Sequence, residues 1–279
     1  MAITYNNLYL DIRQQLRRGG AGDPTLEARE LICFASGKTR EELFRDGALY
    51  MSPETEAHEL CKVNFHWIRL HYLYPDEIDD ELIDAIASEP KVCKYIDLPI
   101  QHCNDTVLKM MNRRDTKAEL LALFAKLRAR IPGLVLRTSL ISGLPYETPE
   151  AFEELCDFLR EVRIERAGVF PFSPEDGTPA AKMDHVPMEE ALRRKELLED
   201  VQSDIIDAYN DACLGGVREV LCEGFDAQAQ MYVGRSYAES PGIDGGIYFT
   251  AEADAAPGAF VNVRLTGTMD GELTGEAVE

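Results

Sequence analysis

The stretch Tyr95–Asp105, YIDLPIQHCND, decides the fold because an apolar run ends there abruptly in polar residues. Comparable apolar runs at 67–74, 134–141 and 167–172 also end in polar or Gly/Pro-rich residues, and helical stretches separate them. Strands that alternate with helices indicate βαβ units and a parallel sheet, either open or closed into a barrel. Sites in such folds lie at the carboxyl ends of the strands, so this polar cluster stands where a site is expected.

A small all-α module is predicted for residues 1–62, ahead of the α/β region at 66–205. Asp23-Pro24 and Ser52-Pro53 are typical of helix starts, because proline tolerates the first helical position and the preceding side chain can cap. Thr39-Arg40-Glu41-Glu42 matches a capping box. The first segment is therefore interpreted as a helical bundle without chemistry of its own.

Two patterns follow the α/β region. Residues 187–214 predict a long, highly charged helix that links outward, and its run Arg193-Arg194-Lys195-Glu196 is interpreted as a solvated face rather than a binding patch. Residues 214–279 alternate short strands with turns, including the hairpin signal Asp270-Gly271, and predict a small β-barrel. This segment holds three basic residues against eleven acidic residues, so it is expected to repel phosphates and to suit a basic protein surface.

Composition limits the classes of function. The chain of 279 residues has a net charge of −21, which argues against broad nucleic-acid binding through phosphate neutralisation. Its seven cysteines include no C-x-x-C pair and are interpreted as reduced thiols. No apolar run reaches the roughly 18 to 20 residues that cross a bilayer, and no signal-peptide pattern begins the chain. We therefore expect a cytoplasmic protein with no membrane partner.

The cluster around Cys103 raises two chemical alternatives. Cys93 lies ten residues earlier, a separation of about 30 Å along a strand, which is too far for one metal ion to bridge. A nucleophile pair of Cys103 with His102 is disfavoured because adjacent strand residues point apart and no orienting carboxylate is evident. Gln101 and His102 then remain either part of a pocket or a structural polar strand end.

Residues 67–276 resemble the C-terminal part of RimO-type methylthiotransferases. These radical S-adenosylmethionine (SAM) enzymes add a methylthio group to an aspartate of a small-subunit ribosomal protein. The resemblance implies a partial radical SAM (βα) barrel that retains strands three to six, followed at 214–279 by a TRAM-like β-barrel that holds the ribosomal protein. It rests on five stretches: WIRLHYLYPDEI (67–78), YIDLPIQHCNDTVLKMMNRRDT (95–116), LRTSLISGLPYETPEAF (136–152), GVFPFSPEDGTPAA (168–181) and MYVGRSYAESPGIDG (231–245).

The same resemblance implies SAM as a cofactor and assigns residues to its binding. The assigned residues are Gln101, His102, Gly143, Glu147 and Ser173. The turn at 143–148 resembles the family's turn that approaches the adenine, although Tyr146 replaces its second glycine and puts SAM affinity in doubt. The turn also has a purely structural interpretation, a strand-to-helix connection capped by Thr148, and Ser173 has an equally structural one.

The family's 4Fe–4S cluster is held by a C-x-x-x-C-x-x-C loop, because soft iron needs closely spaced thiolates. The sequence contains no such triplet. We therefore expect a truncated or rearranged methylthiotransferase that is inactive on its own, with no catalytic residue assigned.

Residues 1–62 are similar to the N-terminal helical module of HemK/PrmC-type release-factor glutamine methyltransferases. This similarity implies that the module contacts a release factor. Two alternatives to a silent enzyme stay open: a non-catalytic protein that binds a ribosomal protein or a release factor, and a remnant of gene fusion.

Overall fold

The computed structural model describes residues 65–278 without interruption. Before them it describes positions 9, 10, 12–14, 23, 25, 26, 28, 29, 32, 33, 39–45, 47 and 61. Helix α1 (Arg40–Arg45) begins with the predicted capping box, in which the Glu42 amide donates to Thr39 Oγ1 at 3.2 Å and the Thr39 amide to Glu42 Oε2 at 2.9 Å. The predicted helix start at Ser52-Pro53 lies outside the described residues.

Four parallel strands form the central sheet, in the order β1-β2-β3-β4. Their bounds are Ile68–Leu70, Val92–Asp97, Val135–Ser142 and Arg166–Pro171. The helices of this region are α2 (Asp80–Ser88), α3 (Asp105–Met110), α4 (Lys117–Arg130), α5 (Pro149–Val162) and α6 (Met188–Cys213). The predicted α/β class is thereby confirmed. The first strand is shorter than the apolar run at 67–74, because Tyr72 adopts a φ of 58° and leaves the extended conformation.

Alternate strand residues build the main core on the helix side of the sheet. Leu70, Ile96, Leu136 and Val169 belong to one apolar cluster with residues of the surrounding helices. Helix starts are fixed locally: Thr148 Oγ1 accepts from the amide of Ala151 at the start of α5. Because the four strands are parallel, their carboxyl ends meet at one edge of the sheet.

Helix α6 corrects one expectation. It was predicted to link outward, but it packs against β4, β3 and α5. Its basic run faces solvent at Arg193, as predicted, but not at Arg194. Leu198, Val201 and Ile205 are buried because their spacing gives an otherwise charged helix one apolar face. Arg194 is also buried and pairs with Glu147 at 2.8 Å.

The C-terminal segment forms a closed five-stranded barrel in the order β5-β6-β7-β9-β8. Its strands are Val217–Asp226, Met231–Arg235, Ile247–Thr250, Phe260–Met269 and Glu272–Ala277. The predicted hairpin turn joins the last two strands, with φ values of 51° at Asp270 and 82° at Gly271. In the part of the chain described here, no helix is both long and apolar enough to cross a membrane.

Candidate functional site

A cavity of about 430 Å³ opens at the carboxyl ends of β1 and β2. Its volume lies within the roughly 300 to 1,000 Å³ that small-molecule sites occupy. Aromatic and apolar surface predominates, with a few polar groups that can orient a ligand. The lining residues are Tyr72, Leu73, Tyr74, Pro99, Gln101, Arg113 and Ser139.

Two residues of the cavity wall have left-handed backbone conformations. The φ values are 58° at Tyr72 and 66° at Gln101, and such conformations cost on the order of 1 to 3 kcal/mol each. Hydrogen bonds to β3 hold Gln101: its amide donates to the Ser139 carbonyl and its own carbonyl accepts from the Ile141 amide, both at 2.9 Å. Strain maintained on one cavity wall is typical of a functional site.

Arg113 fixes the orientation of the Gln101 side chain. Its Nε donates to Gln101 Oε1 at 3.2 Å, and its Nη2 donates to the Pro99 carbonyl at 2.6 Å. Because the amide oxygen of Gln101 is engaged, the amide nitrogen is the end left to donate to a ligand, and it makes no hydrogen bond with the residues described. Arg113 also lies over the Tyr74 ring, 5.6 Å from its centroid.

His102 lies behind the cavity and does not line it. The ring is fully buried, and its Nδ1 accepts from the Asn104 amide at 2.9 Å, so the proton is on Nε2. Nε2 makes no hydrogen bond within the described residues and lies 3.7 Å from Glu147 Oε2. Burial lowers the pKa of His102 to about 4, which keeps the ring neutral.

The turn after β3 is organised around Glu147. Its Oε2 accepts from the amides of Gly143 at 2.9 Å and Leu144 at 3.3 Å. Burial raises the pKa of this carboxyl, while Arg194 and the two amides act in the opposite direction. Gly143 has a φ of 79°, and a Cβ there would lie 2.4 Å from Ala191 Cβ, so α6 occupies the space that its missing side chain leaves.

Tyr146 occupies the position of the family's second glycine, and its backbone is left-handed, with a φ of 66°. Its side chain is 48% exposed. Ser173 is exposed beyond the end of β4. Of the five predicted cofactor residues, the structure thus brings Gln101 to the cavity, whereas Gly143 and Glu147 bond to each other elsewhere on the same edge. Cofactor roles for His102, Gly143, Glu147 and Ser173 stay predictions.

Two family models match the chain: the radical SAM superfamily over residues 20–159 and the TRAM domain over residues 214–278. The first covers half of the sequence. This chain belongs to the radical SAM superfamily. The match to this superfamily begins inside the predicted helical module at 1–62, so it gives no support to a separate, release-factor-related origin for that module.

Its relatives include ribosomal protein uS12 methylthiotransferases named RimO. The protein of Symbiobacterium thermophilum is 46% identical over 90% of this chain and 52% of its own length. That of Pelotomaculum thermopropionicum is 47% identical over 76% of this chain and 48% of its own length. The predicted resemblance to a RimO-type C-terminal part is confirmed, and the chain spans about half the length of these curated relatives.

A solved radical SAM structure, coproporphyrinogen III oxidase (HemN) from Escherichia coli, is also similar. It is 21% identical with a TM-score of 0.46, over 55% of this chain and 37% of that one. At this TM-score the likeness adds nothing to the assignment.

Radical SAM proteins use a 4Fe–4S cluster, and the thiols described here do not fit one. Cys93 and Cys103 belong to different apolar clusters on opposite sides of the sheet. Burial raises the pKa of Cys103 to about 12, so it is a neutral thiol. Among the described residues, no group of three His, Cys, Asp or Glu side chains could hold a metal ion.

Sequence reasoning missed Tyr72, Arg113 and Ser139. Tyr72, like Gln101, follows a strand at the carboxyl edge of the sheet. The apolar run that ends near it in the sequence could therefore have indicated its position. Arg113 reaches the cavity only because α3 turns the chain back, and no spacing in the sequence indicates that return.

Proposed function

We propose that this chain forms the SAM-binding cavity and the substrate-docking barrel of a methylthiotransferase that acts on ribosomal protein uS12. The observation that carries the proposal is the cavity at the carboxyl edge, where Gln101 and Tyr72 hold strained backbone conformations beside Arg113. Sites in parallel α/β folds occupy this edge.

The cavity suits the chemistry of SAM. Arg113 is the cationic residue among its lining residues, and a guanidinium is well matched to a carboxylate such as that of the methionine half. The rings of Tyr72 and Tyr74 offer aromatic surface for the adenine. The Gln101 amide nitrogen supplies a donor of fixed orientation. When bound in the family, SAM provides the methyl group and the radical chemistry.

Calorimetric titration of the full chain with SAM tests this site. Arg113→Gln should weaken binding by roughly 10- to 100-fold, because hydrogen bonds to charged groups contribute about 1.5 to 3 kcal/mol. Arg114→Gln is the matched control, since Arg114 is adjacent, 87% exposed and paired only loosely with Asp76 at 3.5 Å. Absence of saturable binding, or equal affinity of the two variants, would count against the cavity.

The barrel surface supports a basic protein partner. Its exposed carboxylates are Glu219, Glu223, Glu252, Asp254, Asp270 and Glu276. Binding of purified uS12 should weaken with rising salt, and the double variant Glu252→Lys, Asp254→Lys should weaken it further. The same charge change on α5, Glu153→Lys with Glu161→Lys, should have little effect. Equal losses from both double variants would reject the barrel as the docking surface.

We further propose that these 279 residues hold no cluster by themselves, so methylthiolation would require cysteines from outside them. Support comes from the donor set, since no three cysteines are closely spaced in the sequence. Anaerobic reconstitution with iron and sulfide should leave no stoichiometric cluster and no SAM cleavage. A tightly bound cluster with the visible sulfur-to-iron absorbance would refute this part.

A non-catalytic binding role is the second candidate, and the acidic barrel surface favours it. A chain that binds uS12 but not SAM would support it over the first proposal. A chain that binds neither would support a remnant of gene fusion. Contact of residues 1–62 with a release factor stays a prediction of the sequence.

A further inference from the structure

The loop between β6 and β7, residues 236–244, leaves the C-terminal barrel and covers the sheet face opposite α2, α4 and α5, beside Tyr209 of α6. We call it the closing loop. Its Ala238 is 1% exposed and packs in one cluster with Cys93, Tyr95 and Val135. These strand residues alternate with those of the helix-side core, so the closing loop completes the other side of the sheet.

Buried charges join the closing loop to the strands. Glu239 Oε1 lies 2.9 Å from Arg166 Nη2, and Asp244 Oδ1 lies 3.2 Å from Arg137 Nε. Arg69 donates through Nη2 to the Glu239 carbonyl at 2.9 Å. The paired carboxylates and the guanidinium groups of Arg137 and Arg166 are less than a tenth exposed, so water screens these contacts weakly.

Asp97 extends this network to the cavity wall. Its Oδ1 accepts from Arg137 Nη1 at 3.1 Å, and its Oδ2 lies 3.6 Å from His71 Nδ1. Its backbone carbonyl accepts from the amide of Leu73 at 3.0 Å. Because Leu73 lines the cavity, contacts run without a gap from Asp244 through Arg137 and Asp97 to that wall.

We propose that Asp244 is a positioning residue: through Arg137 and Asp97, the closing loop holds the cavity wall at Tyr72–Tyr74 in its ligand-binding conformation. The planar guanidinium of Arg137 binds Asp244 with Nε and Asp97 with Nη1, so the loss of one partner permits it to rotate away from the other. The expected effect on SAM affinity rests on the proposed function, whereas the expected effect on the conformation of the cavity wall does not.

The first measurement is hydrogen–deuterium exchange of the full chain without ligand. Asp244→Asn should accelerate exchange in residues 71–74 by about 10-fold, in the range of typical coupling between sites. Exchange in α5 (149–162) should stay unchanged and report an intact fold. Asp254→Asn is the matched control, because Asp254 is exposed on the same barrel and its side chain accepts one hydrogen bond within the described part of the chain, from the Tyr232 hydroxyl at 3.3 Å.

Unchanged exchange at 71–74, or equal acceleration there and in α5, would overturn the proposal, since the latter describes a merely structural role. If Asp244→Asn does not yield folded protein, the same exchange measurement is made on Tyr95→Phe. It removes only the hydroxyl that donates to Asp244 Oδ2. A smaller acceleration at 71–74 alone is then expected, and none would overturn the proposal.

SAM titration separates this inference from the proposed function. If the wild-type chain binds SAM, Asp244→Asn should weaken binding about 10-fold, and Asp244→Glu should restore part of the loss. If the wild-type chain binds no SAM while the exchange result holds, the coupling stands and the proposed function fails. If SAM binds equally well to Asp244→Asn, the positioning role fails and the cavity assignment stands.

Discussion

The two faces of the four-stranded sheet are closed differently, the helix side mainly by apolar packing and the other side by a smaller apolar cluster together with buried ion pairs. Toward the helices, residues such as Leu136 and Ile96 join a large apolar cluster. Away from the helices, Arg137 and Arg166 meet carboxylates of the closing loop, which lies about 70 to 110 residues later in the chain. An apolar face can be covered by any neighbouring helix of suitable shape. A charged face needs specific partners, so it ties the barrel to the sheet in one arrangement.

The largest loss of unfolding free energy is expected on the charged face, where Arg137 and Arg166 bind the closing loop. Glu239→Ala removes the carboxylate that binds Arg166 and the Ser236 amide, and leaves a buried arginine without its partner. Such a loss costs about 3 to 5 kcal/mol of unfolding free energy, measurable by urea denaturation. Glu252→Ala, at an exposed site on the same barrel, should change stability by less than about 0.5 kcal/mol. Equal stabilities would show that the charged face needs no specific partner.

A slightly smaller effect is expected on the apolar face. Leu136 is fully buried in the helix-side core, so Leu136→Ala should cost about 3 kcal/mol through lost burial and a residual cavity. Leu197→Ala at a 38% exposed position of α6 is the control. A loss larger than that of Glu239→Ala would reverse the expected ranking of the two faces.

His102 tests how well the helix side excludes water. Its pKa is about 4 in the fold against 6.5 as the ordinary value, so between these pH values the unfolded chain binds a proton that the folded chain does not. Stability should therefore fall as pH decreases from 6.5 to 4, by at most about 3 kcal/mol. His102→Asn, whose side-chain oxygen can still accept from the Asn104 amide, should lose less stability over this range. Parallel pH profiles would contradict the buried neutral ring.

The smallest loss of unfolding free energy is expected at the N-terminal cap of α5. Thr148→Ala removes the oxygen that accepts from the Ala151 amide, and should cost about 1 kcal/mol in denaturant unfolding. Thr148→Ser keeps the oxygen and should restore most of that loss. If serine and alanine behave alike, the cap does not explain the start of α5.

Local patterns predicted much of the fold. The start of α5 at Pro149, the hairpin at Asp270-Gly271 and the capping box at Thr39 follow from interactions within four residues, and all three are observed. The prediction that α6 runs outward was wrong, because its many charged residues made the apolar stripe of Leu198, Val201 and Ile205 hard to recognise in the sequence.

The site was predictable only in part. Gln101 could be placed at the carboxyl edge because strand ends are visible in the sequence. Arg113 and the closing loop could not, since their positions depend on a returning helix and on contacts between residues far apart in the chain. The residues that are predictable from sequence are therefore those fixed by their near neighbours.

The single tryptophan offers the most direct test that the closing loop unites sheet and barrel. Trp67 lies edge-on to Phe260 of β8, with ring centroids 4.9 Å apart, and packs against the cluster that contains Ala238. Urea unfolding should be followed by Trp67 fluorescence and by far-ultraviolet circular dichroism of the helices in the same samples. We expect the two transitions to coincide, as in one cooperative unit. An earlier, separate fluorescence transition would mean that the barrel leaves the sheet on its own, and would contradict the charged face as the joint between them.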